Sequence, residues 1–368
     1  MNLRYWPFYL LVWAGLLGAG RCVAAYTASD AGAMRDAYVR AFYAGDDRAG
    51  WFKKTQTGGV ADFWEQAEEI ETFVDLYEAA PRQKDQAMVG RLLAGFIIKH
   101  GTNWSDNIYN DDCMWAAIAF ARGGQVTGQA RFKEIARWNF DLVMARAWDN
   151  SLGGGLYWTT DNRSKNACVN GPAGIAAFLL GRLFDEPRYL ARAGEIFAWE
   201  RARLFDPETG AVADSLETNG TIHVWTSTYN QGTFIGLANF LGHTNDAGRA
   251  ADYARSSLTR HGLLPQYGVA GNNSGFNAIF LRWMVRYMRD CDLENNYLSW
   301  LQDNASAAWN VRRASDGLSW CQWRQPTSPG KNLYSWDCIA SLEALRIVPP
   351  PVFPGSLNTN NSTNPPSQ

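Results

Sequence analysis

The segment FWEQAEEIETFVDLY, residues 63–77, indicates the fold most clearly, because its apolar side chains recur every three or four positions. This spacing places them on one face of an α-helix and leaves the acidic residues between them on the other. The segment therefore predicts an amphipathic helix that packs against a larger helical core. The apolar positions of the repeat are Phe63, Trp64, Ala67, Ile70, Phe73, Val74 and Tyr77.

Eleven further segments of the chain show the same periodicity, whereas none shows the strict alternation of a strand over more than a few residues. Alternating short and long loops join these helices into six pairs, which predicts an all-α fold, an (α/α)6 toroid. Its long loops should gather at one end and form a cleft. The alternative is an irregular stack of helical repeats, but no fixed repeat of shared sequence is present. The eleven segments are residues 29–44, 84–99, 112–122, 128–147, 166–183, 187–203, 228–241, 246–260, 276–289, 293–310 and 334–347.

The two ends of the chain differ from the helical part. Residues 1–4 form a short n-region that is basic through Arg4, and residues 5–20 are apolar but short for a membrane span. Residues 23–25 are small, as at a signal-peptide cleavage site. A signal anchor is the alternative. We expect a signal peptide (1–25), a catalytic domain (26–348) and a disordered Pro/Asn/Ser-rich tail (349–368), which has no apolar stretch of the kind a GPI signal needs.

Export is also indicated by seven Asn-X-Ser/Thr sequons, so we expect a secreted glycoprotein, either extracellular or in the cell wall. Cys22 would leave with the signal peptide, and five cysteines would remain. Cys321 and Cys338 flank a Pro/Gly-rich loop and are the pair that we expect to form a disulfide. The sequons begin at Asn103, Asn162, Asn219, Asn272, Asn304, Asn360 and Asn361.

Composition excludes several classes of partner. The formal net charge of −2 gives no electrostatic footprint for nucleic acid. The four histidines are scattered, and no CxxC or HExxH spacing occurs, so we expect no metal site. The 17 Trp and 15 Tyr are numerous, and we assign most of them to the core and a few to a sugar-binding cleft. We expect a monomer that is not stably inserted in a membrane.

Asp111 and Asp112 are the residues best suited to catalysis. They precede the apolar segment CMWAAIAFA, residues 113–121, so one explanation is that an aspartate caps this helix. Capping needs only one carboxylate, however. A second carboxylate beside it adds repulsion between like charges, which suggests that the second one has a function. Glycoside hydrolysis needs two carboxyl groups, one of them held protonated, and neighbouring aspartates in different environments can supply both.

Several motifs together resemble those of glycoside hydrolase family 76, the endo-α-1,6-mannanases. They occur in the family's order, and the resemblance spans about residues 29–347. The chain departs from the family at Asn277-Ala278, where Lys-Gly is common, and at residues 210–214, which match only in part. The motifs are YNDDCMWAA (109–117), GGGLYW (153–158), KNACVNGPA (165–173), TYNQGTFIG (228–236) and GFNAIFLRW (275–283).

The resemblance implies an (α/α)6 barrel that cleaves α-1,6-mannan with retention of configuration and without a cofactor. It implies Asp111 as the nucleophile and Asp112 as the general acid/base. Plainer roles compete at other positions: a core position for Trp158, capping for Asn166, and a tight turn for Gly153–Gly155. The residues that we expect to bind substrate are Trp158, Lys165, Asn166, Asp214, Tyr229, Asn230 and Gln231.

Two other functions fit parts of the same pattern. A transglycosylase of the cell wall would pass the mannosyl intermediate to another glycan or to a protein anchor. A non-catalytic glycan-binding protein could use the same fold, but the intact aspartate pair argues against it. A mannan digestion assay separates these possibilities.

Overall fold

Helices alternate between an inner and an outer ring along the described part of the chain. The computed structural model describes residues 25–352, and this part of the chain contains twelve α-helices. The outer helices are α1 (Ala28–Phe42), α3 (Gln83–His100), α5 (Ala130–Ala147), α7 (Pro187–Arg203), α9 (Thr244–Tyr253) and α11 (Glu294–Asn310). The inner helices are α2 (Phe63–Ala79), α4 (Asn110–Thr127), α6 (Ala167–Phe184), α8 (Thr228–Phe240), α10 (Phe276–Asp290) and α12 (Ser335–Ile347).

The inner helices form a closed ring in chain order, because each contacts the next and α12 contacts α2. They run in the same direction, so their N-terminal ends meet at one mouth of the barrel and their C-terminal ends at the other. Helix α6 is long and apolar enough to cross a bilayer, but 72% of its apolar window is buried inside the protein. Its hydrophobicity is therefore explained by the barrel core. The (α/α)6 toroid expected from the periodicity is confirmed.

Two small antiparallel sheets lie in the loops, although the sequence predicted no strands. The first joins β1 (Tyr43–Gly45), β2 (Gly50–Thr55) and β3 (Gly58–Val60). The second joins β4 (Ser164–Asn166), β5 (Ser215–Glu217) and β6 (Ile222–His223). Strands of two to six residues are too short to show a periodic pattern. The second sheet matters for function, because it fixes the loops that precede α6 and α8.

A buried ion-pair network connects the inner helices on the barrel axis. Arg282 of α10 pairs with Glu68 and Asp75 of α2. Arg122 of α4 pairs with Glu71 and Asp75. Because buried charges are costly unless paired, these contacts account for two arginines inside an otherwise apolar barrel.

Some expectations for the cysteines and sequons are corrected. None of the five cysteines among residues 25–352 forms a disulfide, so the Cys321–Cys338 pairing is wrong; the thiol of Cys321 instead lies 3.6 Å from the Tyr267 carbonyl oxygen. Asn304 is fully buried and accepts a hydrogen bond from Leu264 N at 2.8 Å, so the folded chain does not present this sequon. The signal peptide up to residue 24, with Cys22, and tail residues 353–368, with Asn360 and Asn361, lie outside the described residues.

Candidate active site

A cleft of about 520 Å³ opens at the mouth where the inner helices begin. The first turns of α2, α4, α6, α8 and α10 all contribute to it, together with the loops that precede them. The aspartates at 111 and 112 lie in this cleft with six large aromatic side chains. The lining residues are Asp62, Trp64, Tyr109, Asp111, Asp112, Trp115, Trp158, Asn166, Cys168, Asp214, Tyr229, Asn272, Asn273 and Phe276.

Asp111 and Asp112 lie in the first turn of α4 and do not cap it, because the N-cap residue is Tyr109. Asn110, the first residue of the helix, is held from two sides. Its Nδ2 donates to the Tyr157 carbonyl at 2.9 Å, and its Oδ1 accepts from Arg146 Nε at 2.7 Å. These bonds fix the start of α4, and with it the carboxyl groups, against the loop at residues 156–160.

Electrostatics raise the pKa values of both carboxyl groups. Burial, together with the charge of Asp112, raises the pKa of Asp111 to about 8, although the Trp158 indole N–H and the Cys168 thiol oppose this rise. Burial also raises the pKa of Asp112 to about 6, against a 3.0 Å hydrogen bond from Asn107 Nδ2. The pair therefore binds one proton between these values, as acid/base catalysis by two carboxyls requires.

One Asp111 oxygen, Oδ1, is buried without a hydrogen-bond partner, and so is Trp158 Nε1. The indole acts on the pKa of Asp111 through proximity, but the two groups do not make a hydrogen bond of normal geometry. A buried polar atom without a partner costs about 1–3 kcal/mol. In the cleft, Asp111 Oδ1 can therefore accept a hydrogen bond from a ligand, and Trp158 Nε1–H can donate one.

Aromatic side chains line the cleft in two pairs. Trp158 packs near Tyr109, with ring centroids 5.7 Å apart. Tyr229 stacks on Phe276, with ring centroids 3.8 Å apart. Aromatic faces and polar side chains in one concave site suit a carbohydrate, which has apolar ring faces and many hydroxyls.

Four of the other residues predicted to bind substrate also line the cleft: Trp158, Asn166, Asp214 and Tyr229. Asn166 accepts a hydrogen bond from Ser164 Oγ at 2.7 Å. Asn230 lies behind the lining, where its Nδ2 donates to Asp214 Oδ1 at 3.3 Å, so its contact with the cleft runs through Asp214.

Lys165 and Gln231, which the sequence predicted to bind substrate, are not among the residues that line the cleft. Lys165 Nζ donates to Asp149 Oδ1, the Ser151 carbonyl and the Gly154 carbonyl at 2.5–2.8 Å. Its side chain is fully buried and supports the glycine-rich turn.

Gln231 accepts from Val212 N at 2.6 Å and donates to the Gly210 carbonyl at 2.9 Å. Both of its polar atoms are therefore used to hold the loop that carries Asp214. Asn277, at one of the departures from the family pattern, is likewise buried, with its Oδ1 accepting from Thr228 Oγ1 at 3.0 Å.

Eight lining residues were not identified as binding residues from the sequence: Asp62, Trp64, Tyr109, Trp115, Cys168, Asn272, Asn273 and Phe276. Most of them share one feature with Asp111: they lie at or near the start of an inner helix. That position was a usable signal once the inner helices were known. Among the described residues, no group of three or more His, Cys, Asp or Glu is arranged to hold a metal ion.

Comparison with known proteins agrees with this architecture. An α-1,6-mannanase of Salegentibacter sp. HEL1_6 superposes with a TM-score of 0.79 at 25% identity, covering 87% of this chain and 98% of that one. An inactive variant of it, with two adjacent aspartates replaced by asparagine, was solved with α-1,6-mannotriose at the same TM-score and identity. Dfg5 of Chaetomium thermophilum, solved with glucosamine, has a TM-score of 0.66 at 17% identity, covering 79% of this chain and 82% of that one, and shares the fold.

No curated protein sequence matches the chain. The family model described as glycosyl hydrolase family 76 matches residues 26–349, which is nearly all of the described structure. With its barrel of paired helices and its cleft of paired carboxyls, the chain belongs to glycosyl hydrolase family 76 and is a glycosidase.

Proposed function

We propose that the protein is a secreted endo-α-1,6-mannanase that cleaves internal linkages with retention of configuration. The observation that supports this most is the Asp111–Asp112 pair at the base of an aromatic-walled cleft. The Salegentibacter mannanase supports the substrate, since its inactive variant binds α-1,6-mannotriose and lacks two adjacent aspartates. Retention is the stereochemical outcome that membership of family 76 implies for a nucleophile and a general acid/base.

In the proposed reaction Asp111 attacks the anomeric carbon while Asp112 gives its proton to the departing glycosidic oxygen. The carbon–oxygen bond to the leaving sugar breaks, and a glycosyl ester of Asp111 forms. Asp112 then removes a proton from water, which attacks the same carbon and releases Asp111. Each sugar transfer thus consumes one water molecule and returns both carboxyls to their starting state.

These roles require the shared proton to lie on Asp112 when the sugar is bound, although in the free cleft Asp111 has the higher pKa. In the bound complex the glycosidic oxygen accepts a hydrogen bond from protonated Asp112, which favours the proton on Asp112. In the transition state the positive charge that develops at the anomeric carbon further stabilises the anionic form of Asp111.

The test is digestion of unbranched α-1,6-mannan by the purified protein, with products sized by chromatography and their anomeric form followed by NMR. We expect a series of short oligosaccharides from the start of the reaction, released in the α form. Products longer than the substrate would indicate transglycosylation instead. Binding of mannan without any shortening would contradict catalysis and favour a glycan-binding role.

Two variants test the roles of the carboxyls. Asp111→Asn removes the nucleophile and should lower the rate by at least about a thousandfold, or about 4 kcal/mol. Asp112→Asn removes the proton donor, so it should impair mannan cleavage far more than cleavage of activated aryl mannosides, which need little protonation. A folded Asp111→Asn protein with nearly normal turnover would refute the assignment. Asp106→Asn, an exposed change in the loop before α4, is the control.

We also propose that residues 1–25 direct the protein out of the cell and are removed. N-terminal sequencing of the protein released into the medium should begin at Ala25 or Tyr26. Membrane-bound protein that still begins at Met1 would contradict export by cleavage.

A further inference from the structure

A second cavity, of about 300 Å³, opens at the opposite mouth of the barrel, where the inner helices end. Its walls come from the last turns of α2, α4, α6, α8, α10 and α12. An inner helix of 18 residues is about 27 Å long, so this cavity is separate from the aspartate pair. The proposed mannan hydrolysis uses none of its residues.

The cavity is lined by five arginines and only two acidic residues. Arg122 and Arg282 lie at its base and are paired with the buried carboxylates of α2. Three further arginines form the rim: Arg182 from α6, and Arg286 and Arg289 from α10. These two helices stand on either side of α8, so the positive side chains approach the opening from two directions.

The rim arginines retain unused hydrogen-bond donors. Arg182 is exposed, and it makes no hydrogen bond or ion pair with any residue in the part of the chain that the structure describes. Arg289 donates to the Ile347 carbonyl at 2.6 Å, and Arg286 pairs with Asp290 at 2.7 Å. A guanidinium group has five N–H donors, so even these two can bind a further acceptor.

Arginines at helix C-termini also offset the helix dipole, which is a simpler explanation for Arg182 and Arg289. That explanation leaves Trp283 unaccounted for. Trp283 lines the cavity, is 2% exposed, and its Nε1–H is buried without a hydrogen-bond partner. Buried indole N–H groups usually have a partner, so an acceptor is missing here.

The remaining walls restrict the size and shape of a ligand. Phe178 and Phe240 stack with ring centroids 4.7 Å apart and line one side. The Trp283 ring is fixed against α8, where a side chain added at Gly236 would lie 2.8 Å from it. The cavity therefore combines excess N–H donors with an apolar wall, in a volume near the lower limit for small-molecule sites.

We propose that this cavity, lined by Arg182, Arg286, Arg289 and Trp283, binds a phosphoryl group, either as inorganic phosphate or as the phosphate ester of a sugar. A phosphate monoester carries a charge of about −1.5 to −2 at neutral pH and has three strong acceptor oxygens. Such a ligand can pair with several arginines at once, whereas a ligand with a single carboxylate has one charge and two oxygens. The ligand needs no contact with the catalytic cleft, so this site is independent of mannan hydrolysis.

Calorimetric titration of the purified full chain tests the proposal and separates the two sources. The titrants are inorganic phosphate, glucose 6-phosphate and glucose, each at a constant ionic strength of about 0.1 M set with chloride. We expect saturable binding of at least one phosphate and none of glucose. Tighter binding of glucose 6-phosphate identifies a sugar phosphate as the ligand, whereas tighter binding of inorganic phosphate identifies the free ion.

Arg182→Gln should raise the Kd about tenfold, which corresponds to about 1.4 kcal/mol, while mannan cleavage stays unchanged. Arg40→Gln is the matched control, because Arg40 is an exposed arginine in the last turn of α1 and does not line the cavity. The proposal is overturned if neither phosphate binds saturably, if glucose binds as well as its phosphate, or if both variants weaken binding equally. Equal weakening would show a general effect of charge.

Discussion

Replacing Asp111 by asparagine should abolish catalysis and, above about pH 5, stabilise the folded protein by an amount that grows with pH. Burial and the charge of Asp112 raise the pKa of Asp111 from 3.8 to about 8. A carboxyl with a raised pKa favours folding fully only below its unfolded pKa. That contribution is lost progressively as the pH rises from the unfolded pKa to the folded pKa, because the unfolded chain releases this proton while the folded protein still binds it. Asparagine keeps the shape of the side chain and never ionises.

The size of the effect follows from the pKa change. One pKa unit corresponds to 1.36 kcal/mol, so the penalty for Asp111 should grow by about 3 kcal/mol between pH 5 and pH 8. The new amide has few partners at this site, which costs about 1–3 kcal/mol at any pH. We therefore expect the variant to be about as stable as the wild type at pH 5 and more stable by about 2–3 kcal/mol at pH 8.

Urea unfolding at the two pH values, followed by tryptophan fluorescence and circular dichroism, measures this difference. Other buried acids such as Glu200 titrate in both proteins and cancel in the comparison. The exposed change Asp106→Asn is the control and should stay within about 0.5 kcal/mol of the wild type at both pH values. An Asp111→Asn protein that is equally destabilised at pH 5 and pH 8 would refute the reasoning.

Three further outcomes are expected. The pH profile of kcat/KM should be bell-shaped and highest between about 6 and about 8, because below this range both aspartates are protonated and above it neither is, as pH-rate assays on mannan can show. Lys165→Met should cost about 2–3 kcal/mol in urea unfolding, because it leaves the Ser151 and Gly154 carbonyls without their donor. Gly155→Ala should cost at least about 2 kcal/mol in the same measurement, since its φ is +84° and the added Cβ would lie 2.4 Å from Trp199. The control Gly220→Ala, at φ +88° with open space around it, should cost about 1 kcal/mol, and equal costs for the two glycine variants would contradict the packing argument.

Helix number, helix order and the position of the aspartate pair could be read from the sequence, because each depends on residues close together in the chain. A helix is specified by apolar side chains three or four positions apart, and burial of that face against other helices produces the ring. Most helices begin and end within a few residues of the predicted segments; α2, for example, is Phe63–Ala79 where the pattern covered 63–77. The largest difference is in α9, which ends at Tyr253 where the pattern extended to residue 260. The order of the five family 76 motifs could likewise be read from the sequence alone.

The tertiary structure alone decided which neighbouring side chains face the cleft. Lys165 and Asn166 are adjacent in β4, and successive strand residues point to opposite sides, so Asn166 lines the cleft while Lys165 supports the turn at residues 151–154. The strand depends on pairing with β5, about fifty residues away, so the local pattern did not reveal it. Similarly, Asn230 and Gln231 are separated by about 100° around α8, so Asn230 contacts Asp214 and Gln231 contacts the backbone of the loop before it. In both pairs, adjacent residues have different roles, one at the cleft and the other in support of a loop. Which residue takes which role depends on contacts with segments distant in the chain.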